Sequence, residues 1–298
     1  MPELEYHVVD VFSESALMGN PLAVVMNTVG LTTEQMQAIA REFNLSETTF
    51  VERRHAEVED KEGVRVRIFT TEEELQFAGH PTLGTASVLK ITAPDVVRDG
   101  TVTLAENIGA IRVRFTGEGL FAEMTQRDPE FGPELEPAEV ARLCGLSPED
   151  LDATAAPQVV STGTALAIVM LRSVEALGRL KVLQEQATEW LRSRGARWFY
   201  VLAKTERNAN GEGPHFRARM QFNGGEDPAT GSAAGCAISY LVRQGIVGSE
   251  RRLHVRQGVE VGRSSDLFLR ARLDGARVTD VRVGGSTVPV ANGHLFLP

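Results

Sequence analysis

The chain has 298 residues and a formal net charge of -9, from 31 basic and 40 acidic side chains. This balance argues against a surface for nucleic acid or anionic membranes, and it favours a small-molecule partner. The first residues lack the basic and apolar regions of a signal peptide, and no stretch approaches the roughly 20 apolar residues that span a bilayer. We therefore expect a cytoplasmic protein, and the length predicts two domains.

In chain order, the first half alternates strands with one well-marked surface helix. Thr32 and Gln35 stand at capping-box spacing in front of an apolar face, which predicts a helix over residues 32–43. Glu47 follows, and its spacing identifies it only as a loop carboxylate. Alternating apolar patterns predict strands at residues 6–12, 22–26, 50–51, 65–69, 102–104 and 111–115.

Two stretches, Gly79–Ala86 and Glu226–Ala233, share one pattern: a polar residue, Pro, two residues, Gly, a hydroxyl residue and Ala. Their prolines are 147 residues apart, about half of the 298-residue chain. Pro is favoured at the first position of a helix, so each stretch predicts a helix start with His80 or Asp227 near the N-cap. The small and apolar residues that follow predict two buried central helices.

Other segments recur in the same order along the chain. Ala23 and Met26 recur 144 residues later, and Arg65 and Arg67 recur 152 residues later. The colinearity predicts two related halves, residues 1–126 and 127–277, with an acidic, proline-rich linker at 128–137. The strand-like segment 278–298, with turns predicted at residues 284–285 and 292–293, would return to the first half. Further predicted elements are a helix at 183–194 and strands at 164–170, 217–220, 252–255, 259–261 and 267–273.

The helix starts are the best candidates for a ligand site. Unpaired N–H groups and the partial positive charge of a helix N-terminus can bind a carboxylate without a metal. Asp227 is equally well explained as an ordinary N-cap, whereas His80 is a poor cap and favours a functional role. Cys144 and Cys236 are interpreted as structural, and the chain has no nucleotide-binding, metal-ligand or serine-hydrolase motif, so no cofactor is expected.

The motifs together resemble a known family, the PhzF family of phenazine biosynthesis. The resemblance implies an α+β fold of the diaminopimelate epimerase type: two pseudo-symmetric domains, each a curled sheet around a central helix, with the active site in the cleft between them. It covers nearly the whole chain. The matching segments are residues 20–24, 44–50, 77–86, 226–235 and 256–258.

The same resemblance implies a cofactor-independent isomerase in which Glu47 is the general acid and base. Burial would raise the pKa of Glu47 toward neutrality, as suits a group that accepts and returns a proton. Related epimerases place a cysteine at each helix start, and this chain lacks both, which favours a proton shift on one face of the substrate. The other implied site residues are His80 and Asp227 as catalytic partners, with Asn20, Gly79, Gly231 and Ser232 binding the substrate.

The implied substrate is a small carboxylic acid that resembles trans-2,3-dihydro-3-hydroxyanthranilate, and a homodimer is expected. One alternative is a racemase or epimerase reaction on an amino or hydroxy acid. Another is a non-catalytic binder of small molecules with the same fold.

The expectation that no cofactor is needed gives a direct prediction. Purified protein should contain no stoichiometric metal and no chromophore that absorbs beyond the aromatic band, since the sequence has no motif for either. Metal analysis and an absorbance spectrum measure this. One equivalent of a metal or a bound chromophore would contradict it.

Overall fold

A computed structural model describes residues 3–206, 213, 215–222 and 224–297. The fold is α+β, as predicted. Contacts divide the chain into two compact units, residues 1–125 with 284–298, and residues 126–283. The sequence placed these divisions after residues 126 and 277.

The first unit is built on one mixed sheet. Its strands lie in the order β19, β1, β2, β3, β4, β6, β7, β8, and the pairs β2–β3 and β4–β6 are parallel. The strands are β1 (Glu3–Val11), β2 (Asn20–Val25), β3 (Glu47–Glu52), β4 (Val64–Phe69), β5 (Glu74–Leu75), β6 (Thr101–Glu106), β7 (Gly109–Phe115), β8 (Ala122–Thr125) and β19 (Thr287–Phe296). The helices are α1 (Thr33–Phe43), α2 (Ala56–Glu62) and α3 (Gly79–Thr92).

Helix α3 is the central helix of this unit. It is buried from Gly79 to Leu89 and contacts seven strands, β1, β2, β3, β6, β7, β8 and β19. A helix that is apolar all round is stable only when it is enclosed in this way. The amphipathic α1 covers another part of the sheet with Met36 and Ile39, and its predicted capping box between Thr32 and Gln35 is confirmed.

The second unit repeats the same order of pairings. Its strands follow β9, β10, β11, β12, β13, β16, β17, and the pairs β11–β12 and β13–β16 are parallel. The strands are β9 (Glu130–Glu134), β10 (Gln158–Ser161), β11 (Ala165–Leu171), β12 (Phe199–Lys204), β13 (Phe216–Arg219), β14 (Gln221–Phe222), β15 (Gly225–Glu226), β16 (Leu253–Gln257), β17 (Ser265–Asp274) and β18 (Arg277–Gly285). The helices are α4 (Pro137–Leu143), α5 (Val174–Gly178), α6 (Gln184–Arg192) and α7 (Gly231–Arg243).

Helix α7 is the central helix here and contacts β10, β11 and β17. It ends at Arg243, with Gln244 as C-cap and Gly245 after it in the left-handed region. Its small residues allow close packing. A Cβ on Gly235 would lie 1.8 Å from Gln126 Oε1, so the buried Gln126 side chain occupies the space that a larger residue would need.

The helix starts differ from the prediction. Helix α3 begins at Gly79, so Pro81 is its third residue and His80 its second, inside the first turn. Helix α7 begins at Gly231 with Thr230 as N-cap, so Pro228 and Asp227 precede the helix. The structural offset between the two starts is therefore 152 residues rather than 147. Gly79 corresponds to Gly231, and His80 to Ser232.

Two equivalent arginine–glutamate ion pairs show the same offset of 152 residues. Arg67 Nε and Glu74 Oε1 are 2.8 Å apart, and Arg219 Nε and Glu226 Oε1 are 2.8 Å apart. In both pairs the second guanidinium contact is 2.6 Å. Each glutamate precedes its helix start by five residues. These bidentate pairs fix the polar loop that leads into each central helix.

Four local predictions were wrong. Gly284 and Gly285 are the last two residues of β18 rather than a turn. Residues 259–261 form a turn between Gly258 and Gly262, both in the left-handed region, rather than a strand. The predicted linker at 128–137 contains β9 and the first residue of α4. Asn292 and Gly293 lie within β19, paired with β1, because Gly293 gives room for the Tyr6 ring rather than making a turn.

A membrane-spanning helix is not found in the described part of the chain, where none combines the necessary length with the necessary hydrophobicity.

The close contact at Gly235 predicts the effect of one methyl group. Gly→Ala inside a helix normally stabilises it by about 1 kcal/mol. At position 235 the new Cβ displaces Gln126, so we expect a net loss of about 1–3 kcal/mol and a melting temperature lower by several degrees. Differential scanning calorimetry measures this.

The matched control is Gly178→Ala at the end of α5, where an added Cβ meets nothing within 4 Å. It should leave the melting temperature unchanged or raise it. Equal melting temperatures for Gly235→Ala and wild type would contradict the packing described for Gln126.

Candidate active site

Three polar residues of the first unit come together where two parallel strands and a helix begin. Asn20 is the first residue of β2, Glu47 is the first residue of β3, and His80 is the second residue of α3. In the parallel pair β2–β3, Glu47 lies opposite Leu22. Both strands therefore start at one end of the sheet, and α3 begins at that same end.

The three side chains lie within close contact of one another. Asn20 Nδ2 lies 3.2 Å from His80 Nδ1, and His80 Nε2 lies 3.3 Å from Glu47 Oε2. The side chains of His80 and Glu47 are 5% and 17% exposed, so the carboxylate is the more accessible of the two to a ligand. Glu47 is thus a strand residue fixed beside His80, and the expectation of a loop carboxylate is corrected.

His80 is neutral in this position. Burial lowers the pKa of its imidazole to about 3, and a hydrogen bond to the Pro21 carbonyl opposes this only partly. A neutral ring has a single N–H, and both the Asn20 amide and the Pro21 carbonyl lie within hydrogen-bond reach of the ring. With so low a pKa, His80 cannot itself serve as a protonated acid near neutral pH.

The second unit places Asp227 in a tight polar loop. Thr230 Oγ1 donates to Asp227 Oδ2 at 2.7 Å, and the Ala229 amide donates to Oδ1 at 3.4 Å. Hydrogen bonds of this kind stabilise the ionised carboxylate. Asp227 is half-buried three residues before the N-cap Thr230, so the alternative that it is itself the N-cap is wrong.

Gln257 organises this loop, and the sequence did not single it out as a site residue. Its Nε2 donates to the Asp227 carbonyl at 2.8 Å and to Thr230 Oγ1 at 2.9 Å. Its Oε1 accepts from the Thr230 amide at 3.1 Å and from the Tyr200 hydroxyl at 3.0 Å. The one available signal was its position in the segment Arg256–Gln257–Gly258, which resembles the family.

The remaining predicted residues occupy the first turns of the central helices. Gly79 and Gly231 are the first residues of α3 and α7, and Ser232, at the second position of α7, is half-buried. The Gly231 carbonyl accepts from Gln126 Nε2 at 2.9 Å.

Both cysteines are unsuited to proton transfer. Cys236 lies in α7 with its Sγ 3.6 Å from Thr162 Oγ1, and burial raises the pKa of its thiol to about 11. Cys144 lies in an apolar cluster of the second unit, where burial raises its pKa to about 12. Both thiols therefore remain protonated, in agreement with their interpretation as structural residues.

Among the described residues, no group of three or more His, Cys, Asp or Glu side chains is placed to hold a metal ion.

The fold and these side chains define a class of protein. Each unit is a curled mixed sheet around a buried helix, and the first unit holds a partly accessible carboxylate beside a neutral histidine. A carboxylate in such a position can accept a proton and return it. The class is that of α+β isomerases with the diaminopimelate epimerase-like fold.

The chain belongs to the PhzC-PhzF family of phenazine biosynthesis-like proteins, whose model matches residues 9–293. A trans-2,3-dihydro-3-hydroxyanthranilate isomerase of Pseudomonas aeruginosa is 36% identical over 300 residues, which cover 98% of this chain and 99% of that one. The chain is therefore an isomerase of this family.

Solved structures agree on the fold. The crystal structure of a PhzF-family phenazine biosynthesis protein from Bacillus anthracis matches with a TM-score of 0.86, at 24% identity and with full coverage of both chains. A probable proline racemase from Agrobacterium radiobacter matches with a TM-score of 0.63 at 11% identity, covering 99% of this chain and 93% of that one. At these identities the likeness concerns the fold alone.

The protonation state of His80 predicts how stability depends on pH. Its pKa is about 3 in the folded protein against 6.5 for the exposed ring, so the folded state binds fewer protons between these values. The stabilisation is complete above pH 6.5 and is lost as the pH falls toward 3, by up to about 1.4 kcal/mol per pH unit.

Urea unfolding at several pH values should therefore show a steeper loss in wild type than in His80→Asn as the pH falls below 6.5. His55→Asn, at an exposed histidine, serves as the control and should follow wild type. Parallel curves for wild type and His80→Asn would show that His80 is not held neutral.

Proposed function

We propose that this protein catalyses a proton shift on a small carboxylic acid that resembles trans-2,3-dihydro-3-hydroxyanthranilate, with Glu47 as general acid and base. The observation that carries the proposal is the 3.3 Å contact between Glu47 Oε2 and the buried, neutral His80. The relative from Pseudomonas aeruginosa supports the choice of substrate class.

Glu47 is preferred to His80 as the group that moves the proton. A general base works best when its pKa lies near the operating pH. The pKa of His80 is about 3, so its protonated form is not populated near neutrality. Its imidazole, 3.3 Å from the Glu47 carboxylate, can instead hold that carboxylate in place, which is a positioning role.

Glu47 is also preferred to Asp227. The Asp227 carboxylate accepts from Thr230 Oγ1 at 2.7 Å and from the Ala229 amide, and both bonds serve the loop before α7. Removing the carboxylate from these partners to bind a proton would cost about 1 kcal/mol per hydrogen bond. For Asp227, and for Gly231 and Ser232 in the first turn of α7, we propose roles in binding the acid group of the substrate.

A shift on one face of the substrate is preferred to inversion of a carbon centre. Inversion uses a base on each face, and the second position of α7 holds Ser232, which is a weak base. The thiol of Cys236, further along α7, is kept protonated by burial. These residues therefore suit a reaction in which one carboxylate removes the proton and returns it.

We further propose that the reaction needs no cofactor, that the protein is a homodimer and that it is cytoplasmic. The resemblance also predicts that one substrate molecule binds to both units. Sedimentation of the purified protein tests the dimer.

The role of Glu47 predicts a separation of binding from exchange. Glu47→Gln keeps the shape and removes the titrating group, so it should abolish deuterium uptake from heavy water into the substrate. Ligand affinity should stay within about tenfold, or roughly 1.4 kcal/mol. Mass spectrometry of recovered substrate and calorimetric titration measure the two quantities, with dihydro-hydroxyanthranilate and related acids as probes.

Asp227→Asn is the matched comparison, because it also changes one carboxylate to an amide. It should weaken binding and slow exchange together without abolishing exchange. If Asp227→Asn loses exchange while Glu47→Gln keeps it, Asp227 is the base. If neutral compounds exchange while no carboxylic acid does, the proposed substrate class is wrong.

A further inference from the structure

Glu106 is a buried acid that the proposed reaction does not use. It is the last residue of β6, lies opposite Gly109 of β7, and is 5% exposed. Its Oε1 lies 2.7 Å from Thr82 Oγ1 in the first turn of α3. Its Oε2 is buried and has no hydrogen-bond partner among the residues that the structure describes.

A count of protons fixes the state of this carboxyl group. Thr82 Oγ1 lies 2.7 Å from the Ala78 carbonyl oxygen and 2.7 Å from Glu106 Oε1. Both distances are typical of O–H···O hydrogen bonds, so the three oxygens share two protons. The threonine hydroxyl supplies one proton and the carbonyl oxygen none. A protonated Glu106 would supply the second proton.

The second unit supports this reading through its pseudo-symmetry. Strand β6 pairs with β4, with Arg65 opposite Ala105, and β16 pairs with β13, with Arg217 opposite Arg256. The next residues along β6 and β16 are Glu106 and Gln257, which therefore hold equivalent places in the two sheets.

Gln257 shows which chemistry this place requires. Its neutral amide donates to Thr230 Oγ1 and accepts from the Thr230 amide, so it both gives and receives hydrogen bonds at the start of α7. A neutral carboxylic acid can also donate and accept, whereas a carboxylate can only accept. Protonated Glu106 is thus the close analogue of Gln257.

The surroundings also favour the neutral form. Burial raises the pKa of Glu106 to about 8, and the opposing influences are the Thr82 hydroxyl and the charge of Arg65 on β4. Gly109 of β7, which is uncharged, lies opposite Glu106, and Gly63, which follows α2, packs against Thr103 of β6. An ionised oxygen without a partner here would bear the full cost of desolvation.

We propose that Glu106 is a neutral carboxylic acid that donates to Thr82 Oγ1 and thereby positions the first turn of α3, which carries His80. Glu106 is a positioning residue. It contacts Thr82, Thr82 contacts Ala78, and His80 lies between these two residues in the chain. Its protonation is independent of the proposed reaction, while its effect on catalysis rests on that reaction.

The protonation is tested by infrared difference spectroscopy at neutral pH. Subtracting the spectrum of Glu106→Gln from that of wild type should leave the carbonyl band of one protonated carboxyl group. This band should vanish as the pH rises through about 8. Subtracting the spectrum of Glu118→Gln, at an exposed glutamate, should leave only carboxylate bands. Carboxylate bands in the Glu106 difference would overturn the proposal.

Stability against pH gives a second test. The pKa of Glu106 is about 8 when folded against 4.5 when exposed, so the folded state holds an extra proton between these values. The stabilisation is present in full below pH 4.5 and is lost as the pH rises to about 8. The urea midpoint of wild type should fall relative to Glu106→Gln over this range and then run parallel to it. A constant difference would overturn the proposal.

Activity separates positioning from mere packing. In wild type, kcat should fall as the pH rises through about 8, and Glu106→Gln, which can still donate to Thr82, should keep its activity there. Glu106→Leu, which fills the space without a donor, should lose activity at every pH. An alkaline loss that persists in Glu106→Gln would overturn the positioning role. If no carboxylic acid reacts while the infrared band is present, the proposed function fails and the protonation stands.

Discussion

The account of this molecule depends on one constraint: the imidazole of His80 is buried and cannot carry a charge. Burial lowers its pKa to about 3, so the ring must use one nitrogen as acceptor and the other as donor. Asn20 Nδ2 lies 3.2 Å from Nδ1, and Glu47 Oε2 lies 3.3 Å from Nε2. The neutrality of His80 supports the proposal that Glu47 is the group that exchanges a proton with the substrate.

Pseudo-symmetry explains how the fold supports such a group. Both units use the same strand pairings, the same arginine–glutamate pair before the central helix, and a buried Glu106 or Gln257 side chain beside the helix start. The supporting residues are thus shared, while the residues they present differ: His80 at the second position of α3 and Ser232 at the second position of α7. When the two halves of a duplicated scaffold acquire different roles, one expects the supporting residues to stay the same and the site residues to differ.

Much of the fold could be predicted because its signals are local. The capping box of α1 and the alternating strands of both halves depend on neighbouring residues, and they were found within a few positions of their true bounds. The start of α7 could not be found in this way, because it is set by hydrogen bonds from Gln257, 27 residues after Thr230. Asn292–Gly293 was misread for a similar reason, since packing against Tyr6 overrides the usual turn preference of this dipeptide.

The same distinction between local signals and tertiary contacts applies to the site. Its residue types could be read from the motifs, but the sequence carries no local sign that Glu47 begins a strand opposite Leu22 or that Asn20 supports His80. Those relations arise from the parallel pairing of β2 with β3 and from the depth at which α3 is buried.

The most direct test of the central claim is nitrogen NMR of the His80 ring, assigned by comparison with His80→Asn. The account predicts a neutral ring that does not titrate between about pH 5 and pH 8. A ring that titrates near the ordinary histidine pKa would contradict it.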